Sequence, residues 1–183
     1  MRSHVEGVLS AVKTILDTSE TGDILAFLPT VDDIMETAGR LRGICKESCH
    51  QILPLFGRMH PEEQETIFLP GTKRRIIVAT NIAETSITVP GIRYVVDTGL
   101  ARILKYDPAA GINRMPVERI SQASARQRAG RCGRVKDGVC IRLYSEQDLL
   151  SRPLYSSPEI RRANLSGVIL RMARLGMERP EHF

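Results

Sequence analysis

Apolar residues recur every three or four positions in several segments of the chain, and this spacing predicts amphipathic helices. The first helix is expected to stop near Gly22, and its buried stripe consists of Val5, Val8, Leu9, Val12, Ile15 and Leu16. Thr30 is the expected N-cap of a second helix, with Asp32 and Asp33 in the first turn. The buried stripe predicted for this second helix is Ile34, Ala38, Leu41 and Cys45.

Three further helices are predicted from capping residues. A third helix is expected to begin at Pro61 and to run to Phe68. Ser121 is the expected N-cap of a helix that runs to about Arg131. A last helix is expected over residues 157–176, and its apolar stripe consists of Leu165, Val168, Ile169, Met172 and Leu175.

Continuous apolar runs alternate with these helices and predict strands at residues 24–28, 52–55, 76–79, 92–96 and 139–143. The run at 52–55 is the weakest, because Pro54 interrupts it. Residues 103–106 and 112–117 flank a turn signal and predict a β-hairpin. The alternation predicts an α/β fold with a mostly parallel central sheet flanked by helices.

The last predicted helix lies beyond this sheet. We therefore expect one α/β domain over residues 1–156 and the start of another domain over residues 157–183. In open α/β sheets, ligands bind outside the carboxyl ends of the strands. The loops expected to carry function are 29–30, 80–85 and 97–99.

Charge is unevenly distributed along the 183 residues, whose net charge is +5. Residues 102–142 contain ten basic and three acidic side chains, so this zone carries a net charge of +7. Such a zone favours a phosphate-rich partner, with an ordinary solvated face as the alternative. No apolar run reaches the roughly 18 residues of a membrane span, and the first residues lack a secretory signal. We therefore expect a cytoplasmic protein without a membrane partner.

The four cysteines are Cys45, Cys49, Cys132 and Cys140. Cys45, Cys49 and His50 are compatible with part of a zinc site, but no second ligand pair is nearby in the sequence. Buried free thiols are the preferred interpretation. The sequence therefore predicts no metal-binding residue.

An arginine-rich segment, residues 127–134 (QRAGRCGR), carries the sharpest candidate chemistry. Arg128, Arg131 and Arg134 are three apart, so on a helix they would fall near one face. The intervening glycines let the backbone approach a ligand closely. Guanidinium forks at this spacing suit phosphate oxygens, although an arginine helix paired with acids remains the alternative.

A second candidate is the loop at residues 80–88 (TNIAETSIT), which follows a predicted buried strand. Five of its nine side chains are hydroxyls or amides: Thr80, Asn81, Thr85, Ser86 and Thr88. Such groups bond readily to phosphates and sugars. Helix capping by Thr80 or Asn81 is the competing interpretation.

The sequence lacks a G-x-x-x-x-G-K-[ST] phosphate loop and contains no Gly-Lys pair. Arginines suited to a phosphate, without a phosphate cradle, indicate half of a composite site. An arginine finger contributed across a cleft would act in this way, because its charge stabilises the transferring phosphoryl group.

These segments together resemble the second RecA-like domain of DEAH-box RNA helicases, in particular the bacterial HrpA type. The resemblance is carried by residues 22–30 (GDILAFLPT), 79–99 (ATNIAETSITVPGIRYVVDTG), 127–134 and 138–148 (GVCIRLYSEQD). Residues 157–176 resemble the first helix of the winged-helix domain that follows in the family. The resemblance implies a RecA-like fold, a hairpin that projects towards nucleic acid, and a truncated winged-helix domain at 157–183.

The resemblance also implies roles at a nucleotide site between two RecA-like domains. Arg131 and Arg134 match the arginine fingers, and Gln127 matches the residue that orders the γ-phosphate and the attacking water. Phe68 matches an aromatic residue that stacks on the base. ATP and Mg²⁺ are implied, both bound mainly by a first RecA-like domain that this sequence lacks.

Contacts with RNA are implied on the same basis. Thr80 and Asn81 match residues that hold the backbone of single-stranded RNA. Ser86 and Thr88 match nucleotide-binding positions that link the RNA and nucleotide sites. The implied function is that of the second motor domain of an ATP-dependent 3′-to-5′ RNA helicase, inactive as an ATPase by itself.

Two other functions stay open on the sequence alone. The chain is also compatible with a basic α/β module that binds RNA or a protein without turnover. A stand-alone nucleotide enzyme of Rossmann type is disfavoured, because no strand is followed by the glycine fingerprint.

Overall fold

The computed structural model describes residues 3–65, 67–69, 71–85, 89–133 and 137–177. Its helices are α1 (His4–Thr18), α2 (Val31–Ile44), α3 (Pro61–Glu65), α4 (Ile82–Thr85), α5 (Gln122–Ala129), α6 (Glu146–Ser151) and α7 (Ser166–Arg174). Its strands are β1 (Asp23–Phe27), β2 (His50–Leu55), β3 (Arg74–Ala79), β4 (Ile92–Asp97), β5 (Leu100–Arg102), β6 (Lys105–Asp107), β7 (Ile112–Arg114), β8 (Val117–Arg119) and β9 (Val139–Arg142).

Five of the strands form a central sheet in the order β2-β3-β1-β4-β9. Every neighbouring pair in this sheet is parallel. The predicted α/β class with a mostly parallel sheet is therefore confirmed. Strand β2 lies at one edge, which explains why it tolerates Pro54, since an edge strand leaves one row of amides without a ladder partner.

The two faces of the sheet are covered by different segments, because side chains alternate along each strand. Ile24, Ala26, Ile76 and Val78 face one apolar cluster, which the buried stripes of α1 and α2 complete. We call this side the helical face. Thr30 caps α2 as predicted, since its hydroxyl accepts a hydrogen bond from the Asp33 amide at 3.1 Å.

The opposite side of the sheet, here called the loop face, is covered by shorter segments. Leu25, Phe27, Ile77 and Ala79 lie on this face. The residues that pack over them come from the segment after α3, from α4 and from the loop that leads into β4: Ile67, Ala83 and Val89.

The chain divides into two compact units, one within residues 1–102 and 117–156 and the other within residues 103–116 and 157–183. The first contains the central sheet and the antiparallel pair β5–β8. The second contains the antiparallel pair β6–β7 of the predicted hairpin together with α7. The winged-helix assignment of residues 157–183 stays a prediction.

Two predicted helices are shorter than expected. The helix at Pro61 ends at Glu65, because the amides of Ile67 and Phe68 bond to carbonyls three residues back and form a tight turn. The last helix begins only at Ser166, after a 3-10 turn at Glu159–Arg161. The carbonyl of Arg162 accepts the Tyr106 amide of β6 at 2.7 Å and is thereby withdrawn from helical bonding.

The apolar stripe predicted for the last helix is not a core stripe, since no residue of α7 is buried. Among the described residues, no helix combines the length and the apolar character that crossing a membrane requires.

Candidate functional site

The candidate site is built at the carboxyl edge of the central sheet, where Asp97 ends β4. Asp97 is fully buried, and its carboxylate accepts three hydrogen bonds. The donors are Nη1 of Arg128 at 2.8 Å, the hydroxyl of Tyr144 at 2.7 Å and the Gly99 amide at 2.8 Å. Asp97 therefore joins the end of β4 to α5 and to the segment after β9.

Arg128, near the end of α5, is fully buried and bonds in three directions. Its Nε donates to Glu84 at 3.0 Å, its Nη1 donates to Asp97, and its Nη2 donates to the Leu100 carbonyl at 3.1 Å. The guanidinium carbon lies 4.6 Å from the centroid of the Phe27 ring, a cation–π contact. Arg128 thus fixes α5 to the sheet and to α4.

The expectation that Arg128, Arg131 and Arg134 share one helical face towards phosphate is wrong for Arg128. Helix α5 ends at Ala129, so Arg131 lies in the turn after it. The acids that pair with Arg128 come from distant parts of the sequence, so they could not be recognised as its partners from the residues near the motif. Arg134 lies outside the described residues.

Gln127 and Arg131, on either side of Arg128 in the sequence, are accessible. Gln127 is exposed on α5, and Arg131 is half-buried. Nη2 of Arg131 donates a hydrogen bond to the backbone carbonyl of Glu84. The side chain of Glu84 and its carbonyl therefore receive two neighbouring arginines of one motif, which holds α4 against the end of α5.

The loop after β3 meets this motif through α4. Thr80 is half-buried and Asn81 is exposed at the start of the loop. Their carbonyls accept the amides of Ala83 and Glu84 at 3.3 and 3.0 Å and so begin α4. Ser86 and Thr88 lie outside the described residues.

Phe68 lies on the loop face of the sheet. It is half-buried and packs against the same apolar cluster as Ile82 and Cys132. The structure therefore places Phe68, the loop after β3 and the turn after α5 on one side of the sheet.

Two contributing residues were missed by sequence reasoning, Tyr144 and Arg152, and Asp97 was expected only as part of the loop at residues 97–99. Arg152 is 5% exposed, lies 4.0 Å from the Tyr144 ring centroid and donates to the Gly99 carbonyl at 3.0 Å. Burial and the adjacent Asp97 carboxylate raise the pKa of the Tyr144 phenol. A lone acid that ends an apolar run, as in IRYVVD, is the sequence signal that points to Asp97.

Arg152 also extends the network to the surface. Its guanidinium pairs with Asp148 on α6, and Asp148 accepts a second bond from Arg119 of β8 at 2.9 Å. The hydrogen bonds from these arginines, mainly Arg152, lower the pKa of the Asp148 carboxyl. Charges thus alternate in sign from Glu84 to Arg119, which suits a structural network.

Cysteine and metal chemistry play no visible part in this network. Cys45 is half-buried against the core, and burial raises the pKa of its thiol. Among the described residues, no group of three or more His, Cys, Asp or Glu side chains is arranged to hold a metal ion.

Comparison with known proteins assigns the family. Residues 7–136 match the model of the helicase conserved C-terminal domain. The chain is 49% identical over 184 residues to the ATP-dependent RNA helicase HrpA homolog of Haemophilus influenzae, covering all of this chain and 14% of that protein. It is 49% identical over 176 residues to HrpA of Escherichia coli, covering 96% of this chain and 13% of that protein. The chain thus spans about one seventh of these curated relatives.

The fold has close counterparts among solved structures. The crystal structure of the E. coli DExH-box NTPase HrpB superposes with a TM-score of 0.86 at 33% identity, over 99% of this chain and 22% of that one. A second structure, the E. coli DEAH/RHA helicase HrpB, gives a TM-score of 0.88 at 34% identity over 98% of this chain and 23% of that one. The resemblance inferred from the sequence motifs is confirmed, and the chain belongs to the helicase conserved C-terminal domain family.

Proposed function

We propose that this chain acts as the second motor domain of an ATP-dependent RNA helicase and contributes arginine fingers to an ATP site completed by another domain. One observation carries the proposal: buried Arg128 anchors α5 at the carboxyl edge of the sheet, while Gln127 is exposed and Arg131 is partly accessible. A rigid anchor between accessible polar groups suits a site that must meet a ligand in fixed geometry.

The accessible groups fit a phosphate. A guanidinium and an amide provide donors for phosphoryl oxygens, and a cation near the γ-phosphate stabilises the charge that develops during transfer. Arg131 and Arg134 would act as the fingers, Gln127 would orient the attacking water, and Phe68 would stack on the base. Nucleotide roles for Ser86 and Thr88 stay predictions from the resemblance.

Mg²⁺ does not fit the described residues of this chain, because they hold no cluster of metal-ligating side chains. A first RecA-like domain would instead supply the triphosphate cradle and bind Mg²⁺.

RNA is the proposed second ligand. The relatives carry the name ATP-dependent RNA helicase, and Thr80 and Asn81 lie at the carboxyl edge that presents ligands in such sheets. We propose that these two residues bind the backbone of single-stranded RNA and that domain closure moves them along it. The 3′-to-5′ direction and the cytoplasmic location stay predictions.

The test uses the chain alone and a chimera in which it replaces the matching segment of E. coli HrpA. We expect the chain alone to lack RNA-stimulated ATPase activity and the chimera to show it. Arg131→Ala and, separately, Arg134→Ala should abolish turnover in the chimera, whereas Arg126→Ala, an exposed arginine of α5, should leave it unchanged. Hydrolysis by the chain alone would exclude a composite site.

The alternative is an RNA-binding module without turnover, which the basic zone at residues 102–142 favours. It predicts that the chimera binds RNA but does not hydrolyse ATP. The same assay therefore separates the two functions.

A further inference from the structure

Two consecutive arginines at the start of β3 project to opposite faces of the sheet. Arg74 precedes Ile76 on the helical face, and Arg75 precedes Ile77 on the loop face. Arg74 is half-exposed and holds the carbonyls of Ser19 and Gly22 at 2.5 and 2.6 Å. Arg75 is 7% exposed, and its hydrogen-bond partners differ from those of Arg74.

Arg75 binds the half-buried carboxylate of Asp23 with both its backbone and its side chain. Its amide donates to Oδ1 of Asp23 at 2.8 Å, and its Nε donates to Oδ2 at 2.7 Å. Asp23 starts β1, the strand paired with β3. This ion pair fixes the plane of the guanidinium at the amino edge of the sheet.

The other two nitrogens of Arg75 hold two separate loop segments. Nη1 donates to the Ile67 carbonyl at 2.7 Å, and Nη2 donates to the Pro90 carbonyl at 2.6 Å. Ile67 immediately precedes Phe68, and Pro90 lies two residues after Thr88. A planar guanidinium keeps its donors in a fixed fork, so it sets the spacing of these two carbonyls.

The chain at Gly91 leaves room for this arrangement. Gly91 has φ +86°, and a Cβ there would lie 3.1 Å from Oδ2 of Asp23 and 3.3 Å from Nη2 of Arg75. A side chain would therefore crowd the ion pair in a backbone conformation that glycine adopts easily.

We propose that Arg75 is a positioning residue of the nucleotide site, which holds the segment carrying Phe68 at a fixed spacing from the backbone at Pro90. This inference rests on the proposed function. Arg75 does not contact the nucleotide; it acts by fixing the backbone beside the aromatic ring. Loss of the fork should weaken binding of the base, so the KM for ATP should rise while kcat changes little.

The test compares variants in the HrpA chimera. Arg75→Met should raise the KM for ATP about tenfold and change kcat less than about twofold, because a misplaced ring weakens ground-state binding. The double variant Asp23→Asn/Arg75→Met also removes the carboxylate that Arg75→Met leaves unpaired. It should show the same rise in KM, which would separate the loss of the fork from a folding defect caused by the unpaired charge. Arg74→Met is the matched control: it loses a cation and two carbonyl bonds on the other face and should keep the KM.

A double-mutant cycle separates positioning from a general loss of stability. If Arg75 acts through Phe68, the KM of Phe68→Ala/Arg75→Met should equal that of Phe68→Ala alone. If the effects of the two substitutions on KM multiply, or if Arg75→Met leaves the KM unchanged, the inference is overturned. A wild-type chimera without ATPase activity would instead overturn the proposed function.

Amide hydrogen exchange on the chain itself gives an independent readout. Arg75→Met should speed exchange at the amides of residues 67–69, 89 and 91, and Arg74→Met should speed it at residues 19–22. Equal exchange at residues 67–69, 89 and 91 in Arg75→Met and the wild type would show that the fork does not hold these segments.

Discussion

Nη1 of Arg128 lies 2.8 Å from Oδ1 of Asp97, and both side chains are fully buried although they lie 31 positions apart in the chain. The pair joins the last residue of β4 to α5. Because Glu84 also bonds to Arg128, one guanidinium fixes three segments that approach the candidate site. The least accessible arginine of the motif thus determines where its accessible neighbours lie.

Replacing Arg128 should destabilise the fold strongly. Arg128→Met removes a cation and leaves Glu84 and Asp97 without it, so the free energy of unfolding should fall by about 3–5 kcal/mol. Urea unfolding followed by circular dichroism measures the change. Arg128→Lys should recover only part of the loss, because an ammonium cannot reproduce the fork.

The matched control for Arg128 is Arg126→Met, an exposed position on the same helix. Arg126→Met should change the free energy of unfolding by no more than about 0.5 kcal/mol. Equal destabilisation by the two substitutions would contradict a structural role for the buried network.

Replacing Gly99 by alanine should lower the free energy of unfolding more than replacing Gly111 does. Both have positive φ, at +71° and +67°, but a Cβ at Gly99 would lie 2.6 Å from the Tyr144 ring and 2.7 Å from Nη1 of Arg152. Both neighbours are held by hydrogen bonds, to Asp97 and to the Gly99 carbonyl. Gly99→Ala should cost about 3 kcal/mol or more.

Gly111→Ala reports the backbone effect alone, because nothing lies within 4 Å of its Cβ position. The expected cost is about 1 kcal/mol. Thermal or urea unfolding of both variants measures the difference, and similar costs would show that Tyr144 and Arg152 yield to the added methyl group.

Cys140 should make stability depend on pH in the alkaline range. Burial, assisted by Asp97, raises the pKa of its thiol to about 12. In the unfolded chain the pKa of a thiol is about 8.5, so between these two pH values the unfolded state loses a proton that the native state keeps. The contribution of Cys140 to stability is therefore full below about pH 8.5 and falls as pH rises, by less than about 1.4 kcal/mol per pH unit because solvent screens the partly buried thiol.

Cys140→Ala should flatten this decline between about pH 9 and 10.5, measured by urea unfolding under reducing conditions. Cys49→Ala, at an exposed position, is the control and should keep the slope of the wild type. An unchanged slope in Cys140→Ala would exclude Cys140 as the titrating group.

Asn81 should contribute to RNA affinity without affecting its salt dependence. Asn81 is exposed and uncharged, so Asn81→Ala should weaken binding of single-stranded RNA about threefold while the slope against salt concentration stays the same. Fluorescence anisotropy at several salt concentrations measures both quantities.

Lys13→Ala provides the comparison, because Lys13 is an exposed cation on α1, which packs on the helical face. Lys13→Ala should change neither the affinity for RNA nor its salt dependence. Unchanged affinity in Asn81→Ala would show that this residue is not part of the RNA site. Weaker RNA binding by Lys13→Ala would indicate that RNA binds on the opposite face.

The sequence was a good guide where signals were local. The apolar runs at 24–28, 76–79 and 92–96 identified the central strands, and Thr30 and Ser121 identified two helix starts. Arg128 was misjudged because its partners are distant in the sequence. The last helix was drawn too long because the carbonyl of Arg162 is taken by β6, a contact that periodicity does not encode.

The sequence by itself determined the α/β class, the family motifs and the residue types available for phosphate and RNA. Hydrophobic periodicity and capping are local, so they can be read along the chain. Tertiary structure alone decided which arginine is buried and which stay accessible, and that Arg75 spans two loops. Those outcomes depend on pairing charges across the fold, because a buried guanidinium is tolerated only where distant acceptors meet it.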